Sequence, residues 1–239
     1  MTKPSVEFQI ISWNDADEEP DVETSETETV EFNNIYTIHL CGRTEDDKTV
    51  YAKIINYKPF FYVEIDSKWN DAQIMIFFNE IKSKMARKFR SSLLRYEIVK
   101  RHKFTEFTDY TEFTFLRFIF NNFEAYKKCK YMMLQKELKL SPIVCPKPTV
   151  FNLFEANLDP FLRCMHIREI QSTGWIVISV YKTLPSVVSD CDINIEASWE
   201  FIMPVREMKR MSPITIMAYD IECASLSGNF PTPKTDPII

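Results

Sequence analysis

Apolar and polar positions alternate in short runs within the first 65 residues. Residues 6–13 read as a short strand. Residues 35–41 alternate strictly, with Tyr36, Ile38 and Leu40 on one face. A polar turn over 42–48 leads into a second alternating run at 50–55, which predicts a hairpin with a long turn. Residues 59–65 form a third predicted strand. The period then changes. Asn70 is placed to cap a helix, with Gln73 in the reciprocal position. Ile74, Phe78, Ile81, Met85 and Phe89 follow at helical spacing. Residues 96–104 and 113–120 return to strand character. Asn121 or Asn122 then caps a second helix that carries Phe123, Tyr126, Cys129 and Met133 on one side. Strand, helix, strand, strand, helix is most of a ferredoxin-like unit. Its closing strand is expected near Ile143 and Val144, although prolines at 142, 146 and 148 work against it.

Further along, Asp159 caps a short helix with Pro160 in its first turn, and Phe161, Leu162 and Met165 are its expected buried face. Residues 174–178 and 191–196 read as strands. Residues 213–222, Pro-Ile-Thr-Ile-Met-Ala-Tyr-Asp-Ile-Glu, begin as a buried-type strand and end in two carboxylates one residue apart. The whole pattern is α+β: a mixed-sheet domain over 1–210 that contains the ferredoxin-like, RRM-like unit at about 59–145, then the start of a second domain over 211–239.

Composition narrows the chemistry. Three glycines in 239 residues exclude a Gly-rich phosphate loop. No apolar run approaches the length of a membrane span and no signal-type segment opens the chain. Six scattered cysteines without a C-x-x-C spacing read as free thiols in a reducing compartment. The three histidines are isolated.

The net charge of −5 is set locally. Residues 15–31 hold nine acids and no base, and the remainder carries 25 acids against 29 bases. The acidic stretch over 14–31 lacks apolar anchors and is expected to be a mobile loop. Residues 82–103 hold nine bases and one acid, which fits either phosphate contact or a solvated face. Lys84, Arg87, Lys88 and Arg90 are its candidate DNA-binding residues. Aromatics in the neighbouring strands invite comparison with RNA-recognition modules. The glycines of that module's signature are absent, so these rings read as core.

In a strand, residues i and i+2 share a face, which places Asp220 and Glu222 side by side at roughly 7 Å. Such a pair alone is commonly a solvated rim. It is also a ready oxygen-donor pair for Mg²⁺ or Mn²⁺.

Several segments together resemble family B replicative DNA polymerases. Tyr219-Asp220-Ile221-Glu222, followed by Gly228-Asn229-Phe230-Pro231-Thr232-Pro233 and Asp236-Pro237-Ile238-Ile239, is similar to their first exonuclease motif. Glu155-Ala156-Asn157-Leu158-Asp159-Pro160-Phe161-Leu162-Arg163-Cys164-Met165 looks like their Glu-x-Asn-x-Asp-Pro-x-x-Arg-Phe-Met segment, with Cys164 in place of Phe. Gly174-Trp175 and the stretch from Leu40 to Glu64 also match in order.

The resemblance implies a polymerase N-terminal domain followed by the first strand of an RNase H-like 3′→5′ exonuclease domain. Asp220 and Glu222 would then be catalytic ligands of a two-metal Mg²⁺ (or Mn²⁺) site completed by later residues. It also implies primer-template DNA and dNTPs as partners of a complete enzyme, and a sliding clamp or processivity factor as a further one. The work place would be the nucleus or a viral replication site. The chain ends where a second strand would begin, so a fragment inactive on its own is expected. The competing reading is a stand-alone nucleic-acid-binding module derived from that domain.

Overall fold

The computed structural model describes residues 5–20, 33–104, 107–135, 137–220, 222–225, 228, 230 and 232. In chain order the strands and helices are β1 (Val6–Glu18), β2 (Ile35–Arg43), β3 (Thr49–Ile55), β4 (Phe60–Ile65), α1 (Asp71–Lys84), β5 (Leu93–His102), β6 (Glu112–Phe120) and α2 (Phe123–Gln135). There follow β7 (Leu153–Phe154), α3 (Pro160–Arg168), β8 (Trp175–Ile178), β9 (Lys182–Thr183), β10 (Ile193–Ser198) and β11 (Ile202–Pro204). They build two sheets, of order β11-β8-β1-β2-β3-β10-β9 and β5-β6-β4-β7.

The first sheet is mixed. Its neighbours are antiparallel except β3 and β10, which run parallel. The chain leaves this sheet after β3, builds the whole second sheet, and returns through β8 to β11. Phe8, Ile10, Tyr36, Ile38, Leu40, Ala52, Ile54 and Ile176 fill its core, and Cys164 and Ile170 reach it from α3 and the turn after it. Gly42 is fixed by a close approach. A Cβ there would lie 2.3 Å from both the Gln9 carbonyl oxygen and the Phe8 ring, so no larger residue fits without moving backbone.

The second sheet has the ferredoxin-like order, with α1 and α2 on one face. The capping box at Asn70 forms: its side chain accepts from the Gln73 N–H at 2.9 Å, and the Gln73 side chain accepts the Asn70 N–H at 3.0 Å. At α2 the cap is Asn122, whose Oδ1 accepts from the Ala125 N–H at 2.9 Å. Phe61, Val63, Leu116, Phe118 and Phe120 point into the core under Ile74, Phe77, Ile81, Tyr126, Cys129 and Met133.

Four expectations change. The acidic loop does not begin at 14. Residues 14–18 continue β1, pairing register by register with His39 to Ile35, because their acids find distant partners that composition cannot show. Residues 21–31 lie outside the described residues. The closing strand of the second sheet is β7, ten residues after the expected position. The proline-bearing stretch forms instead a pair of turns bracketed by an isolated bridge from Leu138 to Thr149. α1 ends at Lys84, and Phe89 is buried from a following 3-10 turn. On α3 the buried residues are Pro160, Arg163, Cys164 and Met165, while Leu162 faces solvent. Arg163 displaces Leu162 because its guanidinium has partners inside. Nη1 pairs with Glu155 at 2.8 Å, Nη2 donates to the Glu155 carbonyl at 2.9 Å, and the group lies 4.3 Å from the Phe60 ring centroid.

Candidate metal and nucleic-acid sites

The segment that carries Asp220 and Glu222 leaves the first sheet along a strapped path. The Val205 N–H donates to the Trp175 carbonyl at 2.8 Å, the Trp175 indole donates to the Arg210 carbonyl at 2.7 Å, and the Ser212 N–H donates to Gln9 Oε1 at 2.7 Å. Beyond Ser212 the predicted strand does not form. Residues 213–220 have no strand assignment, and Ile216, Met217 and Tyr219 are 86%, 78% and 75% exposed. A strand of this type needs neighbours for its backbone groups and for both faces; none flanks it among the described residues.

Asp220 and Glu222 are both exposed, and Ile221 between them lies outside the described residues, as do Asn229, Pro231 and Asp236 to Ile239. No group of three or more His, Cys, Asp or Glu side chains converges among the described residues. The pair offers hard oxygen donors of the kind Mg²⁺ takes, but only part of a six-ligand set.

The basic cluster has a definite shape. Lys84 closes α1, and Arg87 and Lys88 lie on the 3-10 turn that follows, anchored by the buried Phe89. The Lys88 ammonium sits 5.0 Å from the Phe89 ring centroid. Arg90 has an intramolecular task. Its Nε donates to the Met85 carbonyl at 3.0 Å and its Nη2 to the Ser83 carbonyl, satisfying acceptors at the C-terminal end of α1. Lys84, Arg87 and Lys88 are exposed and clustered.

If they track phosphates, replacing these three by Ala should lower the log–log salt slope of DNA binding by about 0.9 for each phosphate no longer neutralised, up to about 3 in all. Anisotropy titrations across a salt series measure this slope, and an unchanged slope would make the cluster a solvated surface.

Sequence reasoning missed the work done by the acids at the end of β1. Asp17 accepts the N–H groups of Phe123 and Glu124 at 2.8 Å each, so a residue more than 100 positions away caps α2. Glu18 bridges two strands: one oxygen is 3.1 Å from His39 Nε2 and the other 3.0 Å from Lys53 Nζ. His39 Nδ1 lies 2.8 Å from the Tyr51 hydroxyl. A wholly local reading finds none of these, because all depend on the register of β1 against β2 and β3.

Burial lowers the pKa of His39 below its ordinary 6.5. Lys53 pushes the same way, and Glu18 and Asp15 oppose it. The unfolded chain therefore binds more protons just below pH 6.5. Stability from this ring is complete above that pH and declines as pH falls through the folded value. His39→Gln should flatten the dependence of the urea midpoint on pH in this window. A slope identical to that of the unsubstituted chain would assign the pH dependence to other groups.

The open face of the second sheet, opposite its helices, is also aromatic. A cleft there is lined by Tyr62, Phe115 and Phe154, with Arg101, His102 and Phe104 at its rim. The sequence pattern makes the rings of this unit core. Phe61, Phe118 and Phe120 are, while Tyr62 and Phe113 alternate onto the half-exposed face.

Comparison with known proteins places these features in a common frame. Residues 151–239 match the family model for the exonuclease domain of DNA polymerase family B. Over 237 residues the chain is 35% identical to a DNA polymerase of Acanthamoeba polyphaga mimivirus, covering 94% of this chain and 13% of that protein. It is 30% identical over 230 residues to a DNA polymerase of Pyramimonas orientalis virus (95% and 18%). It is 24% identical over 212 residues to the DNA polymerase delta catalytic subunit of Glycine max (84% and 19%). The family B DNA polymerase of the hyperthermophilic archaeon Pyrobaculum calidifontis shares the fold, with a TM-score of 0.61 at 16% identity over 98% of this chain and 25% of that one. The chain therefore spans no more than about a quarter of the length of these relatives.

Proposed function

The chain belongs to the family B DNA polymerases, and from that premise we propose that it is the N-terminal part of a DNA-directed DNA polymerase with a 3′→5′ proofreading exonuclease. On this reading the enzyme acts in DNA replication, at a viral replication site or in a nucleus. The two sheets supply scaffold and DNA contacts. Asp220 and Glu222 supply the first ligands of a two-metal exonuclease centre, and the remaining ligands come from sequence beyond Ile239. Primer-template DNA and dNTPs are the substrates of the complete enzyme. A sliding clamp or processivity factor is a further partner. The observation that carries the reading is that Asp220 and Glu222 fall inside the stretch matched to the exonuclease-domain family. No helix among the described residues is long and apolar enough to cross a membrane.

Metal ions would lower the pKa of the attacking water and stabilise the leaving 3′ oxygen. The carboxylates of this chain would fix where the charge sits. The 239-residue chain alone has too few ligands to hold that arrangement and is expected to be inactive in both polymerase and exonuclease assays. The coding sequence after Ile239 tests the proposal directly. An Asn-x-x-x-Phe-Asp and then a Tyr-x-x-x-Asp should follow and complete the ligand set, whereas a stop codon would favour a stand-alone binding module.

A further inference from the structure

We propose that the cationic cleft along the strap over 205–211 holds the phosphate backbone of a single DNA strand on its way to Asp220 and Glu222. The proposal rests on the polymerase reading and gives the strand to be edited a path. The cleft has a volume of about 500 Å³ and lies between the strap and the residues Gln9 of β1 and Trp175 of β8. Three bases line it, Arg206, Lys209 and Arg210, and all three are exposed. Their backbone is tied down. The hydrogen bonds of Val205, Trp175 and Ser212 described above hold the chain on either side of them. Cations on a fixed rim lose less freedom when an anion arrives.

The acids nearby do not cancel this charge. Glu169 is the one carboxylate in the lining, and it pairs with Arg206. Glu45 reaches Arg210 at 3.1 Å from outside the lining, but both side chains are more than half exposed, and such a pair contributes little. Glu207 stands in the strap itself, exposed and outside the lining. Lys209 has no ion-pair partner among the described residues.

Neutral donors complete the surface. The side chains of Gln171 and Thr173 line the same cleft without a hydrogen-bond partner among the described residues. Guanidinium forks, an ammonium and neutral donors together match the non-bridging oxygens of a phosphodiester. Met211 is 74% exposed and offers the sugar and base an apolar, polarizable wall. Position selects the strand. Arg210 precedes Asp220 by ten residues, so at most about 35 Å of chain joins the cleft to the carboxylate pair. A duplex is stiff and meets only the rim, whereas a single strand can turn its backbone into a cationic groove.

The test uses the 239-residue chain carrying Lys84→Ala/Arg87→Ala/Lys88→Ala, which silences the other basic cluster, and fluorescence anisotropy of oligothymidylate over a salt series. Adding Lys209→Ala/Arg210→Ala should lower the log–log slope by about 0.7 for each phosphate released, about 1.4 in all, and weaken binding at about 0.1 M salt at least about tenfold. The strap should survive, because Trp175 holds the backbone carbonyl of Arg210 and not its side chain. An unchanged thermal midpoint checks this. Glu169→Gln should act the other way, releasing Arg206 and steepening the slope, and it keeps the test decisive if that midpoint falls. Lys147→Ala/Lys182→Ala removes the same charge at exposed positions outside the cleft and should change nothing.

The proposal is overturned if Lys209→Ala/Arg210→Ala is silent, if Glu169→Gln leaves the slope unchanged or flatter, or if Lys147→Ala/Lys182→Ala weakens binding equally. It is equally overturned if pyrophosphate, or an oligoglutamate of equal charge, competes as well as unlabelled oligothymidylate, which would make the cleft a free-phosphate or acidic-peptide site. Silent substitutions with strand binding intact remove this site alone and leave the polymerase reading standing. Failure of the unsubstituted chain to bind any single strand would count against both.

Discussion

Replacing Asp220 and Glu222 together with alanine is expected to abolish 3′→5′ exonuclease activity of the complete enzyme by several orders of magnitude, while polymerisation persists. The two carboxylates are hard, anionic oxygen donors one residue apart, inside the region matched to the exonuclease domain. A two-metal hydrolysis needs both ions held where charge develops, on the entering water and on the leaving oxygen. On the proposed reading, removing both carboxylates would leave too little charge to hold the ions. Glu222→Asp should fail too, because retracting a ligand by one methylene displaces the reacting groups, and catalysis tolerates little of that. Activity on a 3′-mismatched primer is the measurement, with dNTP incorporation as the internal control. Proofreading by the double variant, or degradation of single-stranded DNA by the 239-residue chain alone, would refute the assignment.

The second large effect is on stability. Phe118→Ala should destabilise the fold by about 3–5 kcal/mol, the usual cost of emptying a buried phenylalanine site. Phe118 is fully buried, and its ring centroid lies 6.0 Å from Phe61, 6.1 Å from Phe77 and 5.5 Å from Phe78. It therefore joins β4 and β6 to α1, and none of these neighbours can collapse into the space without breaking another ring contact. Thermal unfolding should shift down by roughly 6–20 °C for a chain of this size. The exposed Phe107→Ala should change stability by no more than about 0.5 kcal/mol. Equal shifts for the two would mean that the second sheet and its helices do not form the packed layer described.

Local rules carry most of the fold. The capping box at Asn70, the Asp159–Pro160 start of α3 and the alternation of Tyr36, Ile38 and Leu40 each involve residues within four positions of one another, and each is present in the structure. What escapes such rules is non-local. β1 continues to Glu18 because His39, Lys53 and the first turn of α2 receive its acids, and no window of sequence contains those partners. β7 forms where β4 can pair with it, and the hydrophobic pair Ile143-Val144 is a poorer guide than that pairing. Residues 214–219 have the composition of a buried strand, but composition supplies no neighbours. The candidate metal pair is legible only as a motif, since its geometry depends on elements not assembled around it. Which rings of the second sheet are buried is not legible from composition: Phe118 and Phe120 pack in the core, while Tyr62 and Phe113 lie on the half-exposed face.

The closure of the β1–β2 hairpin has a consequence for how this protein can change. Glu18 faces Ile35 across the ladder, and the Asn34 side chain donates to the Asp17 carbonyl at 2.9 Å, so the chain leaves and re-enters the sheet at one place. The entropic cost of joining two fixed ends grows only with the logarithm of the connection length, at about 0.6 kcal/mol for each doubling. Residues can therefore be added, deleted or exchanged between these anchors at little thermodynamic expense to either sheet. A change in length between these anchors is thus expected to leave both sheets intact, whereas Asp17 and Glu18 at the near anchor are held by their partners.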